Sequence, residues 1–310
     1  MKITGTTRVA GIMGWPVAHS RSPLLHGFWL EQTGINGAYV PLPVRPGHIA
    51  EALRALPVLG FRGCNLTIPH KQLALSVVDR IEPLAQRIGA VNTVIVAPDG
   101  KLEARNTDAY GFRENLQERA PDWDPASGPA VVLGAGGSAR AVVAALADAG
   151  VAEIRIVNRT ASRAEALAHD LASLATRISV HRWSEANLLQ RDAGLLVNTT
   201  SLGMTGEPPL VLDISDLPQS APVVDIVYVP LETGLLAAAR KRGHSIVDGL
   251  GMLLHQGRPG FEAWFGASVR VTAELRAAIV ASLGSPVGRG SCGVGACNCP
   301  PPPSVPAASS

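Results

Sequence analysis

Asn65-Leu66-Thr67-Ile68-Pro69-His70-Lys71 gathers an amide, a hydroxyl and an amine around one proline. Amides and hydroxyls can hold the hydroxyl groups of a small polar molecule, and an ammonium can deliver a proton. Phe61 to Cys64 reads as a short apolar strand leading into this segment. Pro69 cannot continue a central strand and biases Ile68 towards extended geometry. Asn65 and Thr67 are two apart, so an extended backbone turns both to one side. Lys71 falls just past the strand end, where ligands collect in open α/β sheets. Taken alone, the segment is read equally well as a polar loop with a solvated lysine.

A second signal is Gly134-Ala135-Gly136-Gly137-Ser138-Ala139, between a strand (Ala130 to Leu133) and a helix (Ser138 to Ala149, closed by Gly150). It matches G-x-G-x-x-A, the fingerprint of a dinucleotide site. Gly134 permits the tight turn, Gly136 lets a pyrophosphate approach the backbone, and Ala139 keeps helix and strand close. The helix N-terminus offers free N–H groups and the positive end of its dipole. The next strand, Ile154 to Val157, ends in Asn158-Arg159-Thr160, with Arg163 one helical turn on. An NAD site usually carries an acid there, roughly 20 residues beyond the glycines, for the ribose 2′-hydroxyl. Arginine instead suits a 2′-phosphate through charge-assisted hydrogen bonds. The expected cofactor is therefore NADP.

Other polar clusters precede and follow this turn. Ser20-Arg21-Ser22 offers two hydroxyls, with Ser22 expected as N-cap and Pro23 at the first helical position. Such a terminus also suits a carboxylate. Asn92 stands in Gly89-Ala90-Val91-Asn92-Thr93. Asn106-Thr107-Asp108 ends a strand and can cap the following helix. Gly249-Leu250-Gly251-Met252-Leu253-Leu254-His255-Gln256 places Gln256 early in a helix. Singly, each has a plain structural reading as a cap or an exposed side chain.

In order and spacing, from about Val9 to Leu283, these segments together resemble the shikimate dehydrogenase family. Asn198-Thr199-Thr200-Ser201-Leu202-Gly203-Met204 resembles the family's segment near the cofactor. The resemblance implies NADPH-dependent reduction of 3-dehydroshikimate to shikimate, in a cleft between two α/β domains. Ser20, Ser22 and Tyr228 would hold the substrate carboxylate, and Thr67, Asn92, Asp108 and Gln256 its ring hydroxyls. Asn65 would position substrate or brace the loop. Lys71 and Asp108 would form the catalytic pair, with Lys71 moving the proton and Asp108 orienting it. Gly134, Ala135, Gly136, Gly137, Ser138, Ala139, Asn158, Arg159, Thr160, Arg163, Thr199, Ile226 and Gly249 would contact NADP. Arg105 departs from the family, where smaller or acidic residues are common. A quinate/shikimate dehydrogenase of broader specificity is the nearest rival, and a non-catalytic cofactor-binding regulator the rival from another class. A metal hydrolase is disfavoured by scattered histidines and the lack of H-E-x-x-H, a serine hydrolase by the lack of G-x-S-x-G.

The elements that must position these residues alternate strand and helix, which argues for α/β architecture with mostly parallel sheets. Strands are expected at Val9 to Met13, Tyr39 to Val44, Gly63 to Leu66, Leu195 to Asn198, Val223 to Val227 and Ser245 to Val247. Val91 to Val96 and Leu102 to Arg105 form a hairpin about Pro98-Asp99-Gly100. Helices are expected at His48 to Leu56, Ala109 to Arg119, Ala161 to Leu174, Leu235 to Lys241, Gly251 to Trp264 and Thr272 to Leu283. The division is a substrate domain over 1–107, completed by helices in 250–284, and a Rossmann-type NADP domain over 108–249. Hinges are expected near Asn106 and Val247 to Gly249. Residues 285–310, rich in Gly, Pro, Ser and Cys, are expected to be a disordered tail whose Cys292, Cys297 and Cys299 hold no metal.

At 310 residues and 46% hydrophobic, the chain can bury two ordinary cores. Its net charge of +2 gives nucleic acid or anionic membrane no broad basic face. No stretch is apolar enough to span a bilayer, and the start lacks the apolar run of a signal peptide. Four cysteines, only Cys64 in the folded body, fit a reducing cytoplasm. The expected partner is a small-molecule substrate, and a homodimer is left open.

Overall fold

The computed structural model describes residues 3–283. The tail expected at 285–310 lies outside the described residues, as do Cys292, Cys297 and Cys299. In chain order the elements of the first half are β1 (Arg8–Gly14), α1 (Ser22–Thr33), β2 (Gly37–Pro43), α2 (Ile49–Val58), β3 (Phe61–Leu66), β4 (Arg80–Ile81), α3 (Pro83–Ile88), β5 (Thr93–Val96), β6 (Leu102–Arg105) and α4 (Asp108–Arg119). There follow β7 (Ala130–Leu133), α5 (Gly137–Asp148), β8 (Glu153–Asn158), α6 (Ala161–Asp170), β9 (Arg177–Arg182), α7 (Ala186–Leu189) and β10 (Leu195–Asn198). The chain continues through β11 (Val223–Asp225), α8 (Gly234–Lys241), β12 (Ile246–Val247), α9 (Gly249–Phe265) and α10 (Ala273–Leu283).

These strands form two sheets, ordered β2-β1-β3-β5-β6-β4 and β12-β11-β10-β7-β8-β9. In the first, β1 pairs parallel with β2 and β3, and β4 parallel with β6. The hairpin strand β5 runs antiparallel to both β3 and β6. The second sheet is wholly parallel. Its inner strands β7, β10 and β11 are continuous buried runs, as a sheet covered by helices on both faces requires.

The chain leaves the first sheet after β6, passes through α4 and enters the second at β7. It returns from β12 through α9, which packs on the first sheet: Trp264 Nε1 donates to Val94 O at 3.0 Å. The crossing helices α4 and α9 lie against each other at glycines. A Cβ on Gly111 would stand 2.6 Å from Met252 O, and one on Gly251 1.8 Å from Asn115 Oδ1. Asp248 starts α9 by accepting from Leu250 N at 3.0 Å, which begins the helix two residues earlier than expected.

Three expectations need correction. Ser22 is not a cap: it is the first residue of α1, and Arg21 holds the cap position with no side-chain hydrogen bond. Ser20 Oγ instead accepts from Ser22 N at 3.3 Å, so the turn is closed one step earlier. The helix expected to Leu174 stops at Asp170. Finally, β9 is a strand absent from the expected elements, although Ile178 and Val180 alternate with polar residues; it is a sheet edge with arginine at both ends and little burial.

Candidate active site

A cavity of about 180 Å³ opens at the C-terminal ends of β1 and β3, between the two sheets. All of the substrate residues expected from the sequence line it: Ser20, Ser22, Asn65, Thr67, Lys71, Asn92, Asp108, Tyr228 and Gln256. Ser138, Ile226 and Gly249 of the expected cofactor set line its other wall. Leu66, Met252 and Leu253, apolar members of the same sequence segments, also line it, as do Ile12 and His19.

Each polar group is placed by its element. β3 ends at Leu66, and Thr67 N then donates to Met13 O at 3.0 Å, which keeps the segment beside β1. Lys71 follows in the turn, its carbonyl accepting from Val91 N at 2.8 Å. Its Nζ donates to Asp108 Oδ2 at 2.5 Å. Asp108 opens α4, where the helix dipole favours a carboxylate. Asn106 Oδ1 caps that helix, accepting from Asp108 N at 3.0 Å. The pair is shielded, with side-chain exposures of 17% for Lys71 and 8% for Asp108. Burying two charges costs about as much as their attraction returns. Fold stability therefore does not explain the pair; a cavity that needs an ammonium held in place does.

Asn92 organises the other carboxylate oxygen. Its Nδ2 donates to Asp108 Oδ1 at 2.8 Å, to Thr107 Oγ1 at 3.0 Å and, most weakly, to Gln256 Oε1 at 3.2 Å. Its Oδ1 accepts from Thr107 N at 2.8 Å. Three acceptors for two N–H groups leave Gln256 the easiest to surrender to a ligand hydroxyl.

Asn65 is more committed than its sequence suggests. Its Nδ2 donates to Asn92 O at 3.0 Å and Thr93 Oγ1 at 3.1 Å, and its Oδ1 accepts from Tyr39 OH at 2.6 Å. Both amide N–H groups are spent, so Asn65 can only accept from a ligand, through one lone pair. Tyr39 is the residue that sequence reasoning misses here. It lies 26 positions upstream on β2 and is stacked on His26, with ring centroids 4.0 Å apart. The only sequence signal is a phenol in an otherwise apolar strand. Across the cavity, burial pushes the Tyr228 hydroxyl above its ordinary pKa, with Arg21 pulling the other way.

The glycine-rich turn fits a dinucleotide. Gly134 has φ +105°, and a Cβ there would meet Thr199 Oγ1 at 2.7 Å. Thr199 in turn donates from Oγ1 to Leu133 O at 2.6 Å, fixing the turn against β10. A Cβ on Gly136 or Gly137 would meet no protein atom within 4 Å. Open space therefore adjoins the start of α5, as a pyrophosphate seat at a helix N-terminus requires. Arg159, Thr160 and Arg163 are exposed beyond β8, and Asn158 Nδ2 donates to Thr160 O at 2.8 Å, shaping that corner. Among the described residues no His/Cys/Asp/Glu cluster could hold a metal.

A parallel dinucleotide-type sheet facing a second α/β layer, with a lysine–carboxylate pair between them, defines a two-domain oxidoreductase of the dinucleotide-dependent class. The shikimate dehydrogenase substrate binding domain model matches residues 12–94, and the shikimate / quinate 5-dehydrogenase model residues 117–203. A shikimate dehydrogenase (NADP(+)) of Paramagnetospirillum magneticum is 59% identical over 278 residues, covering 90% of this chain and 100% of that one. The shikimate 5-dehydrogenase of Thermus thermophilus, solved with NADP(H) and shikimate, is 38% identical with a TM-score of 0.76, covering 89% and 98% of the two chains. The quinate dehydrogenase of Corynebacterium glutamicum, solved with NAD, is 30% identical with a TM-score of 0.82, covering 89% and 99%. The chain belongs to the shikimate dehydrogenase family.

Proposed function

We propose that the protein catalyses the reversible, NADPH-dependent reduction of 3-dehydroshikimate to shikimate, a step of aromatic amino-acid biosynthesis. The observation that carries this reading is the Lys71–Asp108 pair, set in one cavity with every other polar group that a carboxylated, hydroxylated ring would need. Relatives named for this activity support it. When bound, NADPH supplies hydride to the carbonyl carbon. Gly134 to Ala139 would form the seat of its pyrophosphate, Arg159 and Arg163 would hold its 2′-phosphate, and Asn158, Thr160, Thr199, Ile226 and Gly249 would shape the remaining contacts. Negative charge then grows on the substrate oxygen, where the Lys71 ammonium stabilises it and delivers a proton from Nζ. Asp108 holds that ammonium in one direction, and Asn92 holds Asp108. Ser20, Ser22 and Tyr228 bind the carboxylate; Thr67 and Gln256 bind ring hydroxyls, and Asn65 chiefly braces them.

The parts divide into a substrate domain over 1–107 with the helices of 250–284, and a cofactor domain over 108–249. The crossings at Asn106 and Val247 to Gly249 serve as hinges for closure over both ligands, which excludes water. Among the described residues no helix is long and apolar enough to cross a membrane. We place the enzyme in the cytoplasm and take a homodimer as the assembly to test by light scattering. Absorbance at 340 nm during shikimate oxidation tests the activity; no turnover with either nicotinamide cofactor would refute it.

A further inference from the structure

Arg140 stands one turn into α5, the helix whose N-terminus closes the glycine-rich turn, and only 8% of it is exposed. A buried guanidinium is costly unless paired. Its two partners lie on different helices, α6 and α3. Nη2 donates to Asp170 Oδ2 at 2.5 Å, at the end of α6 beside the second sheet. Nη1 donates to Ile88 O at 3.2 Å, the last residue of α3 beside the first sheet. That carbonyl is one a helix leaves without an internal partner, and a cation there also suits the helix dipole. Gly89 follows with φ +67°, and a Cβ on it would stand 3.0 Å from Arg140 Nη1. The exposed Arg87–Asp148 pair also joins α3 to α5, but solvent screening leaves it little strength.

From Ile88 the chain runs directly to the reacting groups. Ala90 O accepts from Asn106 Nδ2 at 2.9 Å. Val91 N donates to Lys71 O at 2.8 Å. Asn92 then holds Asp108. A shift of α5 must either carry this segment with it or break a buried hydrogen bond.

We propose that Arg140 is a positioning residue that couples cofactor seating on α5 to the placement of Lys71, Asn92 and Asp108. The proposal rests on the function proposed above. It requires that a nicotinamide cofactor and the substrate help each other bind, because coupling between sites is reciprocal.

The test uses NADPH and shikimate, which bind together without reacting. The dissociation constant of shikimate is measured by calorimetry with and without saturating NADPH, in the wild-type protein, Arg140→Ala and Asp170→Asn. Wild type should bind shikimate at least ~5-fold more tightly with NADPH, the lower end of typical coupling. Arg140→Ala should reduce this ratio to within about twofold of unity, with each ligand's separate affinity nearly unchanged. A merely structural residue would change melting temperature or both affinities, not their ratio. If Arg140→Ala does not fold, Asp170→Asn decides: its partly exposed side chain tolerates change, and the ratio should fall because the guanidinium loses its anchor. An unchanged ratio in the folded variants, or no coupling in wild type, overturns the proposal. Failure of the wild type to bind shikimate at all instead refutes the proposed function.

Discussion

Lys71 and Asp108 meet across the chain's first crossing. The lysine stands in the turn after β3, the aspartate is the first residue of α4, and their side chains lie 2.5 Å apart. The pair therefore ties the proton-moving group to the helix that leads into the cofactor sheet. Fixing a charge at this junction makes its geometry depend on how the two sheets are held.

Lys71→Ala should lower kcat by at least ~100-fold with little change in KM, the scale of lost general acid–base help. Steady-state rates over a range of shikimate concentrations check this. A variant that keeps kcat and only raises KM would make Lys71 a binding residue.

Arg159→Ala should raise KM for NADPH about tenfold or more and leave KM for NADH nearly unchanged, because only one cofactor carries the phosphate the guanidinium would pair with. Equal losses with both cofactors would assign Arg159 to the fold of the β8–α6 corner instead.

Acid stability should carry opposed contributions from His26 and Asp225. Burial lowers His26 from 6.5 to about 3, so the unfolded state binds the extra proton between those values. Its contribution is complete above pH 6.5 and is lost as pH falls towards 3, on the order of 5 kcal/mol in full. Burial raises Asp225 from 3.8 to about 6, against hydrogen bonds from Thr233, Val227 and Asn198. Its contribution is complete below pH 3.8 and is lost as pH rises through 6. Melting temperatures from pH 4 to 7 should rise less steeply in His26→Leu than in wild type, and more steeply in Asp225→Asn. Parallel curves for all three proteins would contradict both assignments.

Gly251→Ala should disturb the active site from a distance. Its Cβ would collide with Asn115, whose Nδ2 donates to Asp248 O at 2.8 Å, and force α4 from α9. Asp108 and Gln256 ride on those two helices. Overpacking of this kind costs about 1–3 kcal/mol, and kcat should fall with it. A variant with lowered melting temperature but wild-type kcat would show that the helices separate without moving the site.

What the sequence discloses follows from how local each signal is. The turn at Gly134 to Ala139 is legible because its chemistry lies within six adjacent residues and the strand and helix that flank them. The division between Arg159 and an acid is legible for the same reason. Asn65 is ambiguous in the sequence because its partner, Tyr39, is brought to it only by strand order: β1 separates β2 from β3. Arg140 likewise reads as one more polar residue on a helix, since Ile88 and Asp170 reach it only through tertiary packing. The start of α1 differs by one position because Ser20, not Ser22, closes the turn. Edge strand β9 escapes a sequence reading because a half-exposed strand carries no run of buried residues.

The site selects both a substrate and a cofactor. A steady-state panel of shikimate and quinate, each with NADP and NAD, measures this selection most directly. Shikimate with NADP should give the highest kcat/KM, with NAD at least ~10-fold lower, as expected where arginine replaces the ribose-binding acid. A tenfold preference for NAD, or for quinate over shikimate, would contradict it.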